Sequence, residues 1–232
     1  MKCIARTTIA ISAIAGIVSI ADSAAAAGPS CQGRPADFVF TNVANASGTI
    51  NDDVIVVMGG VGELVAGNGH DVICVVAAPG EAPFIRGGNG NDTVITYSGA
   101  ARVFAGDGND SLLSNSADTI LDGEEGNDTI YSGAHADIAL YGGEGNDRIF
   151  GSPNHDLIVN GGDGNDLIYG FGGNDTIGDP SGNDTIHGGD GFDFLSAGAG
   201  TDVCVDSAKG TTFVQCETIT STMAQGPGSL AS

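Results

Sequence analysis

Aliphatic and polar positions alternate in a short unit that recurs along most of the chain. An Asp follows a Gly-rich stretch, and an aliphatic residue comes two positions after the Asp, with a mostly polar or variable residue between them. Successive copies are 18, 21, 18, 18, 19 and 19 residues apart and then 9 residues apart. The unit is therefore nine residues long, with every second copy degenerate until the last third. The Asp positions of these copies are 53, 71, 92, 110, 128, 147, 166, 175, 184, 193 and 202.

This period predicts an all-β solenoid. One aliphatic residue shortly after a tight turn fits a short strand with a single buried side chain. Such a strand cannot bury its apolar face alone, so stacked neighbours must build the core. We therefore predict stacked parallel coils over residues 48–206, with about 18 residues and two turns per coil. Halfway between full copies, the degenerate units place Asp118, Asp137 and Asp156 at the Asp position.

The fullest copies share the pattern GGxGxDxUx, in which U is aliphatic. They are GGNGNDTVI (87–95), GGEGNDRIF (142–150), GGDGNDLIY (161–169) and GGDGFDFLS (188–196). The glycines permit the positive φ and the close approach of backbones that tight turns require. Stacked Asp residues about 4.8 Å apart would repel one another strongly. A hard cation bound by carboxylate and carbonyl oxygens removes this repulsion, and the flexible coordination of Ca²⁺ suits irregular turns better than that of Mg²⁺.

The repeat resembles that of the RTX, or haemolysin-type, calcium-binding family of secreted bacterial proteins, and the resemblance covers residues 48–206. It implies a parallel β-roll of nine-residue repeats, in which short strands form two facing sheets and the turns hold Ca²⁺. The ligand carboxylates that it implies are Asp92, Asp110, Asp128, Asp147, Asp166, Asp175, Asp184 and Asp193. The turn glycines expected to supply carbonyl oxygens include Gly87, Gly88, Gly90, Gly142, Gly143, Gly145, Gly161, Gly162, Gly164, Gly188, Gly189 and Gly191.

Two alternating turns per coil predict two files of Asp on opposite edges of the roll. The first file is Asp92, Asp110, Asp128, Asp147, Asp166 and Asp184; the second is Asp118, Asp137, Asp156, Asp175 and Asp193. The turns around 118, 137 and 156 lack their glycines, so we expect a complete calcium file on the first edge and a patchy one on the second. Calcium beside Asp53 and Asp71 stays an open question, because no well-formed copy lies between them.

Residues 1–27 have the composition of a secretory signal peptide. Lys2 and Arg6 precede an apolar run from Thr7 to Ala21, and small residues follow as far as Gly28. The run is about 15 residues long, short for a membrane span of about 20, although a retained anchor is the alternative. We expect cleavage after Ala27 and export of the chain. Lys2, Arg6 and Asp22 would be removed, leaving 5 basic and 28 acidic residues and a net charge of −23.

Four cysteines remain beyond the predicted cleavage point, an even number that suits an oxidising compartment. Three pairings are open; we favour Cys31–Cys74 and Cys204–Cys216, because each pair brackets one end of the repeats. A zinc site is the rival interpretation, but no CxxC motif or Cys/His cluster supports it. Residues 28–47 then form an N-terminal cap, and residues 207–232 a disulfide-bonded cap with a flexible tail. CQGRPADFV (31–39) and CVDSAKGTTFVQCE (204–217) resemble the flanks of small exported repeat proteins.

Composition limits the possible functions. The whole chain has 7 basic and 29 acidic residues, which argues against nucleic-acid and anionic-membrane partners. Similar rolls are appended to secreted enzymes, but the segments that flank the repeats are too short for a catalytic domain, and no GxSxG or HExxH motif occurs. The four histidines fit solvated turn positions. We predict a calcium-binding repeat protein without catalysis. The alternative is an adhesive or structural surface solenoid that uses calcium only as scaffold, and any protein or polysaccharide partner is unknown.

Overall fold

The computed structural model describes residues 29–135, 139–156, 159–207 and 211–221. The predicted signal peptide and the tail after residue 221 lie outside these ranges, as does Asp137. Within them the chain is all-β, with 25 strands numbered here in chain order. No helix of these ranges has the length and apolar character that a membrane span needs.

The strands form one small hairpin and two large sheets. The hairpin is β1 (Ser30–Cys31) and β2 (Arg34–Pro35). The first sheet has eleven strands: β3 (Phe38–Thr41), β5 (Val54–Met58), β7 (Val72–Val76), β9 (Thr93–Ser98), β11 (Ser111–Ser114), β13 (Thr129–Ser132), β15 (Arg148–Phe150), β17 (Leu167–Gly172), β20 (Thr185–Asp190), β23 (Val203–Asp206) and β25 (Thr218–Ser221). The second has twelve: β4 (Asn45–Ser47), β6 (Glu63–Asn68), β8 (Phe84–Asn89), β10 (Arg102–Asp107), β12 (Ile120–Glu125), β14 (Ala139–Glu144), β16 (Val159–Asp163), β18 (Thr176–Gly178), β19 (Ser181–Gly182), β21 (Phe194–Ser196), β22 (Ala199–Gly200) and β24 (Thr212–Val214).

Both large sheets are parallel, and each coil contributes to both. Leu112 of β11 pairs with Ile130 of β13, 18 residues later, and Leu121 of β12 pairs with Leu140 of β14 in the opposite sheet. The longer interval before Asp92 is absorbed by a register shift between Val75 and the next residue of β7. The predicted β-roll, with about 18 residues per coil and two sheets, is confirmed.

One file of aliphatic side chains from each sheet builds a continuous core between the sheets. The aliphatic residue two positions after each Asp is completely buried, and so is its counterpart in the second sheet. The first file is Ile55, Ile73, Val94, Leu112, Ile130, Ile149, Ile168 and Ile186. The second is Leu64, Ile85, Val103, Leu121, Leu140, Val159, Ile177 and Leu195. Each strand thus buries one large side chain against the coils on either side, which explains why no single repeat can fold alone.

Disulfides fix both ends of the roll in the two favoured pairings. Cys31 is bonded to Cys74, and Cys204 to Cys216. Cys74 lies in a second apolar cluster with Val56 and Ile95, separate from the core between the sheets, so the first bond holds the N-terminal hairpin against the outer side of the first sheet. Cys204 instead continues the inner core file after Ile186.

Candidate metal centre

One edge of the roll carries a file of buried Asp side chains. Each lies directly before a strand of the first sheet and is at most 5% exposed. The members are Asp53, Asp71, Asp92, Asp110, Asp128, Asp147, Asp166, Asp184 and Asp202. The six residues predicted for the first edge are therefore brought together, and the file extends by two residues before them and one after.

Hydrogen bonds connect neighbouring members of this file. The backbone N–H of Asp128 donates to Oδ1 of Asp147 at 2.7 Å, and the N–H of Asp147 donates to Oδ1 of Asp166 at 2.8 Å. The same bond joins every neighbouring pair from Asp53 to Asp202, at distances of 2.6 to 2.9 Å. One carboxylate oxygen of each Asp therefore links two coils.

The other carboxylate oxygen is buried and accepts no hydrogen bond from any described residue in Asp71, Asp92, Asp110, Asp128, Asp147, Asp166, Asp184 and Asp202. In the turn that begins at Gly142, a Cβ added to this glycine would overlap both Oδ2 of Asp147 and the carbonyl oxygen of Gly161 in the next coil. Carboxylate and carbonyl oxygens therefore converge on the space that the missing side chain leaves. Buried oxygens without donors are what a hard cation requires.

The predicted glycines divide into two groups by role. Gly87, Gly142, Gly161 and Gly188 hold the first turn position, where a Cβ would meet Oδ2 of the turn's own Asp. The remaining glycines have φ values between +106° and +149°, a region that side chains rarely adopt. They are Gly88, Gly90, Gly143, Gly145, Gly162, Gly164, Gly189 and Gly191. The first group makes room for oxygens, and the second lets the turn fold tightly.

A family model described as the RTX calcium-binding nonapeptide repeat, in four copies, matches residues 84–112, 113–140, 139–158, 158–178 and 181–205. The chain belongs to the RTX calcium-binding repeat family. The family implies Ca²⁺ as the bound ion, which agrees with the all-oxygen surroundings of the first file. No curated protein and no solved structure matches the chain.

The electrostatics of the RTX file also require a positive charge. Burial raises the pKa of Asp110 to about 8 and those of Asp128 and Asp147 to about 6. Neighbouring carboxylates add to this effect, whereas the hydrogen bond from the preceding coil opposes it. Without a cation, the folded roll therefore holds protons on carboxyls that are normally ionised at neutral pH.

Asp53 departs from the rest of the file. Its Oδ2 accepts hydrogen bonds from the backbone N–H of Thr49 at 2.6 Å and from the Thr49 hydroxyl at 2.9 Å. The protein itself thus satisfies the oxygen that its neighbours leave without a donor. The doubt about calcium at the first coil has a structural basis for Asp53, whereas Asp71 keeps a free, buried Oδ2 within the described part of the chain.

The second edge carries a shorter file. The N–H of Asp156 donates to Oδ1 of Asp175 at 2.8 Å, and the N–H of Asp175 donates to Oδ1 of Asp193 at 2.8 Å. The N–H of Asp193 then donates to the Thr211 hydroxyl, where the file ends among the described residues. The expected difference between the edges is present, with an extended file on one side and a short file at the C-terminal end of the other.

The placement of Asp118 in this second file is wrong. Backbone pairing puts Thr119, which is fully buried, directly before β12 at the position of the Asp. Asp118 is exposed and has a φ of +61°. The degenerate turn therefore presents a hydroxyl to the interior of the roll, and Asp118 is a turn residue facing solvent. Asp137, predicted for the same file, lies outside the described residues.

Sequence reasoning missed a ladder of Asn side chains beside the first file. The backbone N–H of Asn109 donates to Oδ1 of Asn91 at 2.8 Å, so the acceptor lies in the preceding coil, the opposite direction to the Asp bonds. Asn127, Asn146, Asn165 and Asn183 repeat this arrangement. The signal was present, because Asn precedes Asp in each of these copies. His70 holds the equivalent place one coil earlier, where its Nδ1 accepts the N–H of Asn91.

Asp179 is the second residue that was missed. It is 2% exposed, and one carboxylate oxygen from each of Asp179, Asp166 and Asp184 lies within 4.8 Å of the other two. Burial and the charges of the neighbouring Asp residues raise the pKa of Asp179 to about 9. Aligning DPSGND with GGDGND would have shown that Asp179 stands where other copies have their first glycine.

Proposed function

We propose that this RTX chain is a secreted protein in which Ca²⁺ is held between successive coils and its binding is coupled to folding. The observation that carries the proposal is the row of buried Oδ2 atoms without donors among the described residues. The ligands would be Asp92, Asp110, Asp128, Asp147, Asp166, Asp175, Asp184 and Asp193, with carbonyl oxygens from the glycine turns. Calcium neutralises these carboxylates and replaces the hydration that they lose on burial.

Coupling to folding follows from the charge of the chain. A formal net charge of −22 opposes compaction, and the structure buries many of these acidic groups in closely spaced files. In an unfolded chain the ligands are far apart, so calcium binds the folded roll preferentially and stabilises it. Extracellular modules bind calcium with Kd values of about 10⁻⁴ to 10⁻³ M. We therefore expect the roll to form at calcium concentrations found outside cells.

A calcium titration of the purified protein, followed by far-UV circular dichroism, tests this coupling. Starting from chelator, we expect a cooperative increase in β signal at sub-millimolar to millimolar Ca²⁺, and little change with Mg²⁺ at equal ionic strength. Full β structure in excess chelator would contradict the coupling. It would show that the aliphatic core and the disulfides fold the roll without the ion.

Export is supported by the composition of residues 1–27 and by the two disulfides, which suit an oxidising compartment. The intact mass of protein collected from culture medium gives a direct test. We expect a chain that begins at Gly28, with four cysteines oxidised. A mass that includes residues 1–27, found only in the membrane fraction, would favour the retained anchor.

The proposal assigns no catalytic role. The described histidines fit structural roles or exposed turns: Nδ1 of His70 accepts a backbone hydrogen bond, and the ring of His187 stacks on Tyr169 at 4.3 Å. The buried Asp residues described above form the calcium files or adjoin them. A hydrolase screen of the calcium-loaded protein tests this point, and turnover abolished by a substitution within the roll would contradict it.

A surface adhesive role is the second candidate, and a row of aromatic rings favours it. Tyr131, Phe150 and Tyr169 stack along the first sheet with ring centroids 4.6 and 5.7 Å apart, and Phe171 beside them is 51% exposed. Replacing Tyr131 and Phe171 with Ser should leave calcium-induced folding intact. If adhesion is the function, the variant would lose retention on polysaccharide-coated surfaces; unchanged retention would exclude this row as the adhesive face.

A further inference from the structure

Asp179 occupies a position where the other coils have only small residues. Its backbone neighbour Gly178 pairs with Ser196 in the next coil, and Ser181 pairs with Asp163 in the preceding coil. This register aligns Asp179 with Gly161 before it and Ala197 after it. The equivalent residues of the earlier coils are Gly48, Ala66, Gly87, Ala105, Gly123 and Gly142. Asp179 is therefore the one carboxylate in this series.

The side chain of Asp179 is directed back into the preceding turn. A Cβ added to Gly161 would overlap Oδ2 of Asp179 and Oδ2 of Asp166 together. In the turns that begin at Gly123 and Gly142, the first of these places is taken by a backbone carbonyl oxygen of the next coil. At this one turn, a charged oxygen thus joins the space where the others have a neutral one.

Neither carboxylate oxygen of Asp179 has a hydrogen-bond partner among the described residues, although the side chain is 98% buried by its exposed fraction of 2%. Oδ2 of Asp166 and Oδ2 of Asp184 are also without donors within the same ranges. No Lys or Arg contacts the three carboxylates among the ion pairs that the described chain forms. Three buried carboxylates with four such oxygens lack any neutralising group from the protein.

The family pattern does not account for this residue. The RTX model matches residues 158–178 and 181–205 and leaves Asp179 and Pro180 between the two matches. Asp179 is thus a feature of this chain rather than of the repeat. Calcium affinity in oxygen sites rises with the number of charged ligands.

From this geometry we propose that Asp166, Asp179 and Asp184 form a three-carboxylate calcium site that binds more tightly than the other sites of the first file and fills first. The inference rests on the proposed calcium-binding function and adds an order of filling to it. The site holds one ion at the C-terminal part of the roll, with both oxygens of Asp179 available as ligands. It would remain occupied when the two-carboxylate turns have lost their ions.

Isothermal titration calorimetry with CaCl₂ at constant ionic strength tests the proposal on the purified protein. We expect two classes of site, with about one ion per chain bound at least about 10-fold more tightly than the rest. Asp179→Ala and Asp179→Asn should both remove the tight class and leave the weaker class in place. Ala is the native residue at the equivalent positions 66, 105 and 197, so the backbone accommodates it.

Asp163→Asn is the matched control. Asp163 lies in the same turn as Asp166, is exposed, and accepts a hydrogen bond from the Ser181 hydroxyl at 2.5 Å, so its loss removes one charge without touching the buried oxygens. The tight class should persist in this variant. Circular dichroism at saturating calcium verifies that each variant forms the roll.

The outcomes separate this inference from the proposed function. No calcium binding by the native protein would reject both. Calcium-coupled folding with a tight class that survives Asp179→Ala and Asp179→Asn, or with one uniform class in native protein, would overturn the three-carboxylate site and leave the function standing. Failure of the Ala variant to fold in calcium would transfer the decision to the isosteric Asn variant, in which a retained tight class overturns the inference.

Discussion

The backbone N–H of Asp92 donates a 2.6 Å hydrogen bond to Oδ1 of Asp110, while Oδ2 of the same Asp110 carboxylate has no donor among the described residues. The two oxygens of one side chain therefore have separate tasks. The first connects adjacent coils as an uncharged acceptor could, and the second needs a cation. A substitution that keeps the acceptor and removes the charge can separate the two tasks.

Asp128→Asn should change stability in opposite directions with and without calcium. Asn retains an oxygen to accept the N–H of Asp110, and its amide nitrogen lies near the carbonyl oxygen of Gly142. In chelator the variant should be more stable, because a buried charge is removed. In calcium about 100-fold above Kd it should lose about 2.7 kcal/mol for each ion that it no longer binds. Urea unfolding in both conditions measures the two changes.

Asp107→Asn provides the comparison for this experiment, because Asp107 is an exposed turn residue carrying the same formal charge. Its unfolding free energy should change by less than about 0.5 kcal/mol in either condition. Destabilisation of the Asp128 variant by equal amounts with and without calcium would show that Oδ2 has a structural role only, and would argue against an ion at that turn.

The metal-free roll should be most stable in acid. Burial raises the pKa of Asp110 to about 8 and that of Asp175 to about 7, from 3.8. The folded state therefore binds more protons than the unfolded state between about pH 4 and pH 8. This stabilisation is fully present below about pH 4 and is lost as pH rises through 7 and 8. Melting temperatures in chelator should fall from pH 5 to pH 8.

Calcium should reverse this dependence, because it binds ionised carboxylates and competes with their protons. At saturating calcium, the melting temperature should rise or stay level from pH 5 to pH 8. Calcium binding near pH 7 should also release protons, measurable as a dependence of the calorimetric enthalpy on the buffer's ionisation enthalpy. Parallel pH profiles in chelator and calcium would contradict the assignment of the Asp files as the cation sites.

The repeating half of each coil could be predicted from sequence, whereas the degenerate half could not. A fixed period locates the aliphatic file and the Asp file of the first edge, because stacking forces equivalent residues into register. The degenerate turns have no such constraint, so Asp118 was taken for the file residue when the strand begins one position later, after Thr119. A one-residue offset exchanges an inward-facing side chain for an outward-facing one.

Asp179 shows a different limit. Its residue type and position were visible, but its importance depends on whether a side chain at the first turn position enters the preceding turn. That depends on Gly161, which has no side chain to block it, and only the stacked coils reveal the relationship. The Asn ladder was likewise visible as a repeated residue, although its hydrogen bonds run between residues about 18 positions apart.

Two glycines of the described chain should respond very differently to substitution by Ala. Gly145 has a φ of +129°, and a Cβ there would overlap the carbonyl oxygen of Gly126. Gly145→Ala should cost at least about 1–3 kcal/mol from backbone strain alone. At Gly178 no atom lies closer than 4.0 Å to an added Cβ, so Gly178→Ala should change stability by less than about 1 kcal/mol. Urea unfolding in calcium compares the pair, and equal losses would contradict the turn geometry.

Asn127→Ala should destabilise the roll equally with and without calcium. Oδ1 of Asn127 accepts the N–H of Asn146 at 2.8 Å, and its Nδ2 donates to Oδ1 of Asn109 at 3.0 Å, so the side chain joins three coils without offering a charge. Exposed hydrogen bonds contribute about 0.5–1.5 kcal/mol each, and the loss should be near the lower end for each bond. Asn127→Asp keeps the acceptor for Asn146 and should recover part of it. A loss confined to calcium-loaded protein would instead mean that the ladder acts by holding the neighbouring Asp128 ready for the ion, which would make the Asn file part of the binding site rather than an independent clamp between coils.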